Sequence, residues 1–285
     1  IAAGAGGSML NTSVSLGRLG LPVTFISEIG KDVVGDLIVD FLIDNKINSG
    51  CISRFTDGKT ALALAFLNEC ENAEYTFYKL YPPERLNIDF PEPSDGDIVL
   101  FGSFFAITLE VRQPLLKFIS EAKKNNALII YDPNFRRPHL KDLPVLKHMI
   151  LENMKRSLIV RGSDEDFELI LGAMNADETF ARLKGIGCHF LVYTRSDQSV
   201  EFRSDKIVFS LDVPKINPVS TIGAGDSFNA GLIWYLFKHG ISSAGLFSLT
   251  ENQWRAAIQV AITFGSHVCE RMDNYISKDF ASGLN

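Results

Sequence analysis

The apolar residues of this chain recur with two alternating spacings, about 2 in some stretches and about 3.6 in others. The shorter spacing, or an unbroken apolar run, predicts buried strands at 23–27, 97–101, 127–131, 157–160 and 190–193. The longer spacing predicts helices at 33–42, 109–122, 165–172, 176–185, 225–239 and 251–269, the first two capped by Asp32 and Thr108. Such alternation predicts an α/β fold whose mostly parallel sheet is covered by helices on both faces.

One segment, residues 51–80, departs from this alternation. Its apolar and polar residues alternate between the turn signals Thr56-Asp57-Gly58 and Glu71-Asn72-Ala73, and no helix intervenes. We expect a small antiparallel hairpin, built from 60–67 and 74–78, that is appended to a main body formed by 1–50 and 81–285. A hairpin with an apolar face must cover a ligand cleft, a partner subunit or both.

Composition excludes several classes of protein. The chain has 285 residues, 46% of them hydrophobic and 22% charged, which is typical of a globular protein. Its net charge of −6 argues against a nucleic-acid binder, which normally carries a basic face. No apolar run approaches the roughly 18 residues that a membrane helix needs, so we expect no membrane association. The four cysteines lie far apart and are interpreted as reduced thiols in a cytoplasmic protein.

Two of the three glycine-rich segments do not fit a known phosphate-binding motif. Gly58-Lys59-Thr60 resembles the end of a Walker loop, but Ser53 stands where the first glycine of that motif belongs. The segment 4–9 has no strand before it and lacks the third glycine of a dinucleotide-binding loop. The first is interpreted as a plain turn of the hairpin, and the second is a weak match.

The third glycine-rich segment, 220–231, leads into a predicted helix. Gly223 and Gly225 allow backbone N–H groups to converge at the helix N-terminus, where unpaired amides and the helix dipole attract anions. A carboxylate at this point, Asp226, would repel a phosphate unless it accepts the proton of a hydroxyl that attacks the phosphate. On the short Gly-x-Gly-Asp motif alone, a helix cap with a tight turn is an equally good interpretation.

The longer sequence around these residues resembles the ribokinase-like (PfkB-type) carbohydrate kinase family. Its C-terminal motif is similar to 223–231, and its N-terminal motif is similar to 6–11, 16–20 and 30–35. The segment Asp132-Pro133-Asn134-Phe135-Arg136 resembles fructokinase-like and ketodeoxygluconate-kinase-like members. The resemblance covers nearly the whole chain and implies a three-layer α/β/α fold, in which residues 51–80 form a lid over the sugar.

The resemblance also implies roles for individual residues. Asp226 matches the catalytic base of the family, and Gly223, Ala224 and Gly225 match its anion hole, the two glycines also contacting the nucleotide. The residues that match substrate-binding positions are Gly6, Gly7, Asn11 and Arg136. Thr194 matches a position near the nucleotide phosphates, and Asp166 matches an acidic residue that organises Mg²⁺ and its waters indirectly.

Each of these residues also has an ordinary structural interpretation. Asn11 could only turn the opening segment, Arg136 could form a surface ion pair, and Asp166 could lie in the solvated first turn of a helix. Tyr75, Phe77 and Tyr78 fit the core of the lid or a dimer interface better than they fit sugar stacking. The family's lid often pairs with the lid of another subunit, so we expect a homodimer through 51–80.

The sequence departs from the family pattern in two places. Ser220 and Ile222 replace residues that help to build a monovalent-cation site in many members, which leaves a requirement for K⁺ open. Family members also begin with a strand that ends in a sugar-binding Asp, whereas this chain begins at Ile1 without a methionine. We expect that residues upstream of Ile1 supply that strand.

The resemblance implies an ATP- and Mg²⁺-dependent kinase that phosphorylates a primary hydroxyl of a small sugar. The segment 132–136 favours a fructose-like substrate, while ketodeoxygluconate, ribose and a nucleoside stay open. A sugar-binding regulator that keeps the fold without catalysis is the alternative from another class, and the intact Gly-Ala-Gly-Asp motif argues against it. A nicotinamide oxidoreductase is a more distant alternative.

Overall fold

The computed structural model describes residues 4–67, 73–135 and 137–284, which form two compact units. The first unit comprises Gly4, Ala5 and Pro22–Pro91, and the second comprises Gly6–Leu21 and the chain from Glu92 onward. The strands in chain order are β1 (Val23–Thr24), β2 (Ser27–Gly30), β3 (Ile47–Asn48), β4 (Ile52–Phe55), β5 (Lys59–Leu67), β6 (Ala73–Leu80), β7 (Ile98–Gly102), β8 (Leu128–Asp132), β9 (Ile159–Ser163), β10 (Phe190–Arg195), β11 (Ser199–Arg203) and β12 (Val208–Asp212). The α-helices are α1 (Ser8–Arg18), α2 (Val33–Asp44), α3 (Leu109–Lys124), α4 (Leu143–Arg156), α5 (Asp164–Leu171), α6 (Ala176–Gly185), α7 (Ala224–Lys238), α8 (Glu251–Cys269) and α9 (Lys278–Ser282).

The second unit is built on a six-stranded sheet in the order β12-β11-β10-β9-β8-β7. Strands β7 to β10 run parallel, and β11 and β12 continue the sheet as antiparallel neighbours. The predicted α/β fold with a mostly parallel sheet is therefore confirmed. The sequence analysis did not predict β11, β12 or α4, which lie between the strongly apolar elements.

The sheet is buried through its parallel centre. Ile130, Ile159 and Leu191, on three neighbouring strands, have no exposed surface. Helix α8 covers the sheet with Trp254, whose ring lies 4.3 Å from that of Phe202 and is fully buried. Apolar burial on this scale is the main stabilising contribution to such a unit. No helix among the described residues is long and apolar enough to span a bilayer.

The first unit contains three two-stranded sheets. Strand β1 pairs with β3 and β2 with β4, both in parallel, while β5 and β6 form the antiparallel hairpin that the sequence predicted. The connection 68–72 lies outside the described residues, and so does most of the predicted turn at 71–73. The single strand predicted at 23–27 is wrong: it is divided into β1 and β2, because the two halves pair with different strands.

The predicted helix caps differ in outcome. Asp32 caps α2 by accepting a hydrogen bond from the Gly35 N–H at 2.9 Å, as expected. Its carboxylate also accepts from the N–H of Thr60 at 2.8 Å and from the hydroxyl of Thr60 at 2.7 Å, which ties α2 to the hairpin. Thr108 precedes α3 but does not cap it, because its hydroxyl donates to the Phe104 carbonyl instead.

These three hydrogen bonds hold the pKa of Asp32 at about 2, below its ordinary value of 3.8, with the Thr60 N–H as the largest cause. A carboxylate with a lowered pKa stabilises the fold above its unfolded pKa, and this contribution is lost as the pH falls through 4 towards 2. We expect Asp32→Ala to lower the free energy of unfolding by about 1–2 kcal/mol at pH 7 and to flatten its dependence on pH in that window. Denaturant titration at pH 7 and pH 3 measures both effects.

The control is Asp40→Ala, which removes an exposed carboxylate from the same helix. An equal loss of stability in both variants, or an unchanged pH dependence in Asp32→Ala, would contradict the role given to the cap.

Candidate active site

A tight glycine turn leads into α7. Gly223 has φ 83°, in the left-handed region that favours glycine, and a Cβ there would lie against the backbone oxygen of Asn274. A Cβ on Gly225 would come within 2.9 and 3.0 Å of the two terminal guanidinium nitrogens of Arg161. The turn therefore requires glycine for conformation at one position and for close approach at the other.

The N-terminus of α7 has backbone donors to offer. The helix begins at Ala224 with no side-chain cap, and no described residue accepts a hydrogen bond from the N–H of Gly225 or Asp226. Unpaired first-turn amides and the positive end of the helix dipole together bind anionic oxygens. This end of α7 can therefore hold phosphate oxygens, which fits a nucleotide.

The carboxylate of Asp226 lies in the first turn of α7 and is held from α1. The Ser8 hydroxyl donates to Oδ1 at 2.6 Å, and the Asn11 side-chain amide donates to Oδ2 at 2.8 Å. The Thr12 hydroxyl donates to the backbone carbonyl of Asp226 at 2.9 Å. Three residues on one face of α1 thus fix both the side chain and the backbone of Asp226.

The surroundings of Asp226 change its acidity in opposite directions. Burial, the largest effect, raises the pKa of this carboxyl, and the hydrogen bonds from Ser8 and Asn11 lower it in part. The charge of Asp132 raises the pKa further, whereas that of Arg161 lowers it. The net effect is a raised pKa, which makes the carboxylate a better proton acceptor than an exposed aspartate.

Asn11 has an acceptor to spare. The residue is buried, and its Oδ1 atom has no hydrogen-bond partner in the part of the chain that the structure describes. A buried acceptor without a partner is costly unless a ligand or water supplies a donor. Gly7, the N-cap of α1, and Gly6, which lies near the side chain of Asn274, precede it. This arrangement can accept the hydrogen of a hydroxyl group next to Asp226.

A buried ion pair lies beneath the glycine turn. Asp132, at the end of β8, has no exposed surface and accepts from Arg161 at 2.9 Å and from the Asn229 amide at 2.7 Å. Arg161, on β9, also donates to the Thr194 hydroxyl at 3.3 Å. The Asn134 N–H donates to the other oxygen of Asp132. Thr194 is thereby linked to the glycine turn through Arg161.

The structure places Asp166 in the first turn of α5. One carboxylate oxygen accepts from the Phe135 N–H at 2.6 Å, and the other accepts from the N–H and hydroxyl of Ser163 in a capping box. Burial raises the pKa of Asp166, and the charge of Asp132 contributes in the same direction. Among the described residues no group of three or more His, Cys, Asp or Glu side chains could enclose a metal ion. A Mg²⁺ ion at this site would take most of its ligands from phosphates and water, which it commonly does.

The structure thus brings Asp226, Asn11, Gly223, Ala224 and Gly225 together. Thr194 joins them indirectly, Asp166 is engaged in the cap of α5, and Arg136 lies outside the described residues. Sequence reasoning missed three residues that contact this group, Ser8, Thr12 and Arg161, and it also missed Asn229, which contacts Asp132. Ser8 and Asn229 lie inside the motifs that resemble the family. Arg161 directly follows the apolar run 157–160, so a charged residue in a buried strand was the signal that could have identified it.

Comparison with known proteins identifies the family of this chain. The family model "pfkB family carbohydrate kinase" matches residues 1–279. The chain belongs to the PfkB family. Probable fructokinase-4 of Arabidopsis thaliana is 28% identical over 235 residues, 80% of this chain and 72% of that one. Fructokinase-1 of Zea mays is 26% identical over 82% of this chain and 74% of that one.

Solved structures match this PfkB kinase in fold. Aminoimidazole riboside kinase from Salmonella enterica has a TM-score of 0.83 at 19% identity, covering 98% of this chain and 90% of that one. Fructokinase with bound ATP from Xylella fastidiosa has a TM-score of 0.82 at 18% identity, covering 98% and 89%. The fold is therefore the ribokinase-like α/β fold, and the protein is an ATP-dependent sugar kinase.

Substitution of Gly223, the first glycine of the turn that leads into α7, tests the anion site. Gly223→Ala adds a Cβ at a left-handed φ and against Asn274, so the amides of the turn must move. We expect kcat for sugar-dependent ADP release to fall about 10²-fold or more, as when one donor to a developing anion is lost.

The matched control is Gly240→Ala, at the other end of α7. Gly240 also has a left-handed φ, 59°, but no atom lies within 4 Å of its Cβ position. It should lose about 1 kcal/mol of stability and keep its kcat. An equal fall in kcat in the two variants would show that backbone strain alone, and not the position of the amides, controls activity.

Proposed function

We propose that this PfkB kinase transfers the γ-phosphoryl group of ATP to a primary hydroxyl of a fructose-like sugar, with Asp226 as the general base. One observation carries the proposal: the Asp226 carboxylate, held by Ser8 and Asn11, lies in the uncapped first turn of α7. A proton acceptor and unpaired N–H donors thus lie within the same turn of the helix. That combination suits attack of a hydroxyl on a phosphate.

The reaction is written as an in-line transfer. The sugar hydroxyl oxygen forms a bond to the γ-phosphorus, the bond from that phosphorus to the bridging oxygen breaks, and the electron pair leaves with ADP. The hydroxyl proton passes to Asp226. The N–H groups of Gly225 and Asp226 and the end of the helix dipole stabilise negative charge on the transferred oxygens. The products are a sugar phosphate, ADP and one proton.

The sugar is proposed to lie against the start of α1. The unpartnered Oδ1 of Asn11 can accept a hydrogen bond from a sugar hydroxyl, while Nδ2 of the same residue holds Asp226. Gly6 and Gly7 leave room there for a second hydroxyl to approach the backbone. The segment 132–136 and the names of the plant relatives support a fructose-like substrate, with ribose, ketodeoxygluconate and nucleosides as the competing sugars.

Mg²⁺ is proposed as the divalent cofactor, bound with the nucleotide. It would neutralise charge on the phosphates, and Asp166 would contact one of its waters. Both oxygens of Asp166 already accept hydrogen bonds, but Oδ1 accepts only one in the described structure and keeps a second acceptor position. The need for K⁺ stays open because Ser220 and Ile222 differ from the family pattern.

The role of Asp226 is tested by Asp226→Asn, which keeps the shape of the side chain and removes the proton acceptor. We expect kcat to fall at least about 10²-fold, while the affinity for ATP changes little, because a general base acts on the sugar hydroxyl. A coupled ADP-release assay over fructose, ribose, ketodeoxygluconate and a nucleoside, with and without K⁺, measures activity and substrate preference together.

The control is Glu110→Gln, which removes an exposed carboxylate from the first turn of α3. It should leave kcat unchanged. Wild-type turnover by Asp226→Asn would reject the proposed base, and higher kcat/KM with a non-fructose sugar would reject the proposed substrate but not the base.

We further propose that the hairpin of the first unit forms a homodimer contact. Leu62 pairs directly with Tyr78, so their side chains share one face with Leu64. The three are 43–57% exposed. An exposed apolar face on a two-stranded sheet is typical of an interaction surface.

Leu62→Glu should therefore convert a dimer to a monomer in sedimentation velocity. Val208→Glu, which alters an exposed strand residue in the second unit, should not. A wild-type monomer at all concentrations would reject the dimer, and so would a Leu62→Glu dimer of unchanged affinity.

A further inference from the structure

Arg161 is a buried charged residue next to the catalytic turn that the proposed reaction does not use. Its terminal nitrogens lie 2.9 and 3.0 Å from the Cβ position of Gly225, so its guanidinium supports the turn from beneath. The guanidinium also lies 5.3 Å from the centre of the Phe228 ring, one turn further into α7. A side chain in this place fixes the backbone on which the anion-binding amides depend.

The position of Arg161 is fixed in turn by its polar partners. Asp132 accepts its hydrogen bond and is itself held by Asn229, a residue of α7, so the ion pair joins β8 and β9 to the helix that carries Asp226. Arg161 and Asp132 are 9% and 0% exposed. Removing two charges from water at this depth is costly, and ion pairs so deeply buried contribute little net stability. Stability alone therefore does not explain why this ion pair is present.

We propose that the Arg161–Asp132 ion pair is a positioning element for phosphoryl transfer, which holds the Gly225 turn in place and balances the charge felt by the Asp226 carboxylate. This inference rests on the proposed role of Asp226 as the base. The two charges act on Asp226 in opposite senses, since Arg161 lowers and Asp132 raises the pKa of that carboxyl. The pair therefore adjusts the pKa of Asp226, in addition to the larger effect of burial, and with it the pH below which the base is protonated and inactive.

Among the described residues, the groups that hydrogen-bond to the Asp226 carboxylate are neutral. From α1 these are the hydroxyl of Ser8 and the amide of Asn11, and from β8 and β9 the charged groups are Asp132 and Arg161. Asp166 also senses both charges, but its hydrogen bonds go to Ser163 and Phe135. The fall of kcat/KM at low pH is called the acidic limb. It is assigned to Asp226 when it is absent from the residual activity of Asp226→Asn.

The test compares the acidic limb in variants that each remove one of the two charges of the pair. Arg161→Met removes the positive charge, and the limb should move to higher pH by about half a unit or more. Asp132→Asn removes the negative charge, and the limb should move to lower pH. Arg161→Lys keeps the charge but loses the bond to Thr194, so the limb should stay near that of the wild type while kcat falls about threefold or more.

Arg161→Met leaves Asp132 buried without its partner, which can prevent folding. The double variant Arg161→Met/Asp132→Asn removes both charges, and its limb should lie between those of the single variants. The control is Arg112→Met, which breaks another buried arginine contact, with Glu152 and Asn153, away from the site. It should lose stability without any shift of the limb.

The carboxyl ¹³C resonance of Asp226, assigned through Asp226→Asn, gives the same shifts without turnover. Opposite shifts in Arg161→Met and Asp132→Asn support the inference. Equal, same-sign or absent shifts overturn it, and so does a shift in Arg112→Met. If Asp226→Asn turns over like the wild type, the proposed base fails, whereas the resonance still reports whether the pair controls this carboxyl.

Discussion

The contact on which the site depends is the pair of hydrogen bonds from α1 to the Asp226 carboxylate. A carboxylate in the first turn of a helix is favoured by the dipole, but it also competes with any anion that the free amides could bind. Ser8 and Asn11 resolve this competition because they hold the carboxylate at 2.6 and 2.8 Å on the side of α1. The amides of the turn are thereby left for the phosphate oxygens that we propose they bind.

The geometry of the turn has a second support in two residues outside α1. Arg161 fills the space that a side chain at Gly225 would need, and Asn274 fills the corresponding space at Gly223. A loop held only by its own backbone would move when charge develops, whereas a loop packed against neighbouring residues reorganises little. Preorganised donors of this kind account for much of the rate enhancement in phosphoryl transfer.

Strong apolar periodicity made the long helices and parallel strands predictable, and α6 and α8 end where the sequence placed them. Strands β11 and β12 were missed because polar or charged residues interrupt their apolar ones, such as Glu201 and Arg203 in β11 and Ser210 in β12. The glycine turn at 223–225 was predictable only because the longer sequence around it resembles the C-terminal motif of the family, since the short Gly-x-Gly-Asp motif fits a helix cap equally well. The supporting residues were not, since their role arises from contacts between segments more than 60 residues apart, such as Asp226 with Ser8.

The proposed ligands also explain why several polar atoms near Asp226 are buried without hydrogen-bond partners among the described residues. Asn11 Oδ1, Arg161 Nε and Asn229 Oδ1 have no partner among the described residues, and a buried polar atom without a partner costs free energy. Substrates that supply hydrogen-bonding partners, directly or through ordered water, recover part of that cost on binding. The same polar groups that lower the stability of the fold therefore favour the binding of polar ligands. This trade-off is expected where a site is built for charged and hydroxylated ligands.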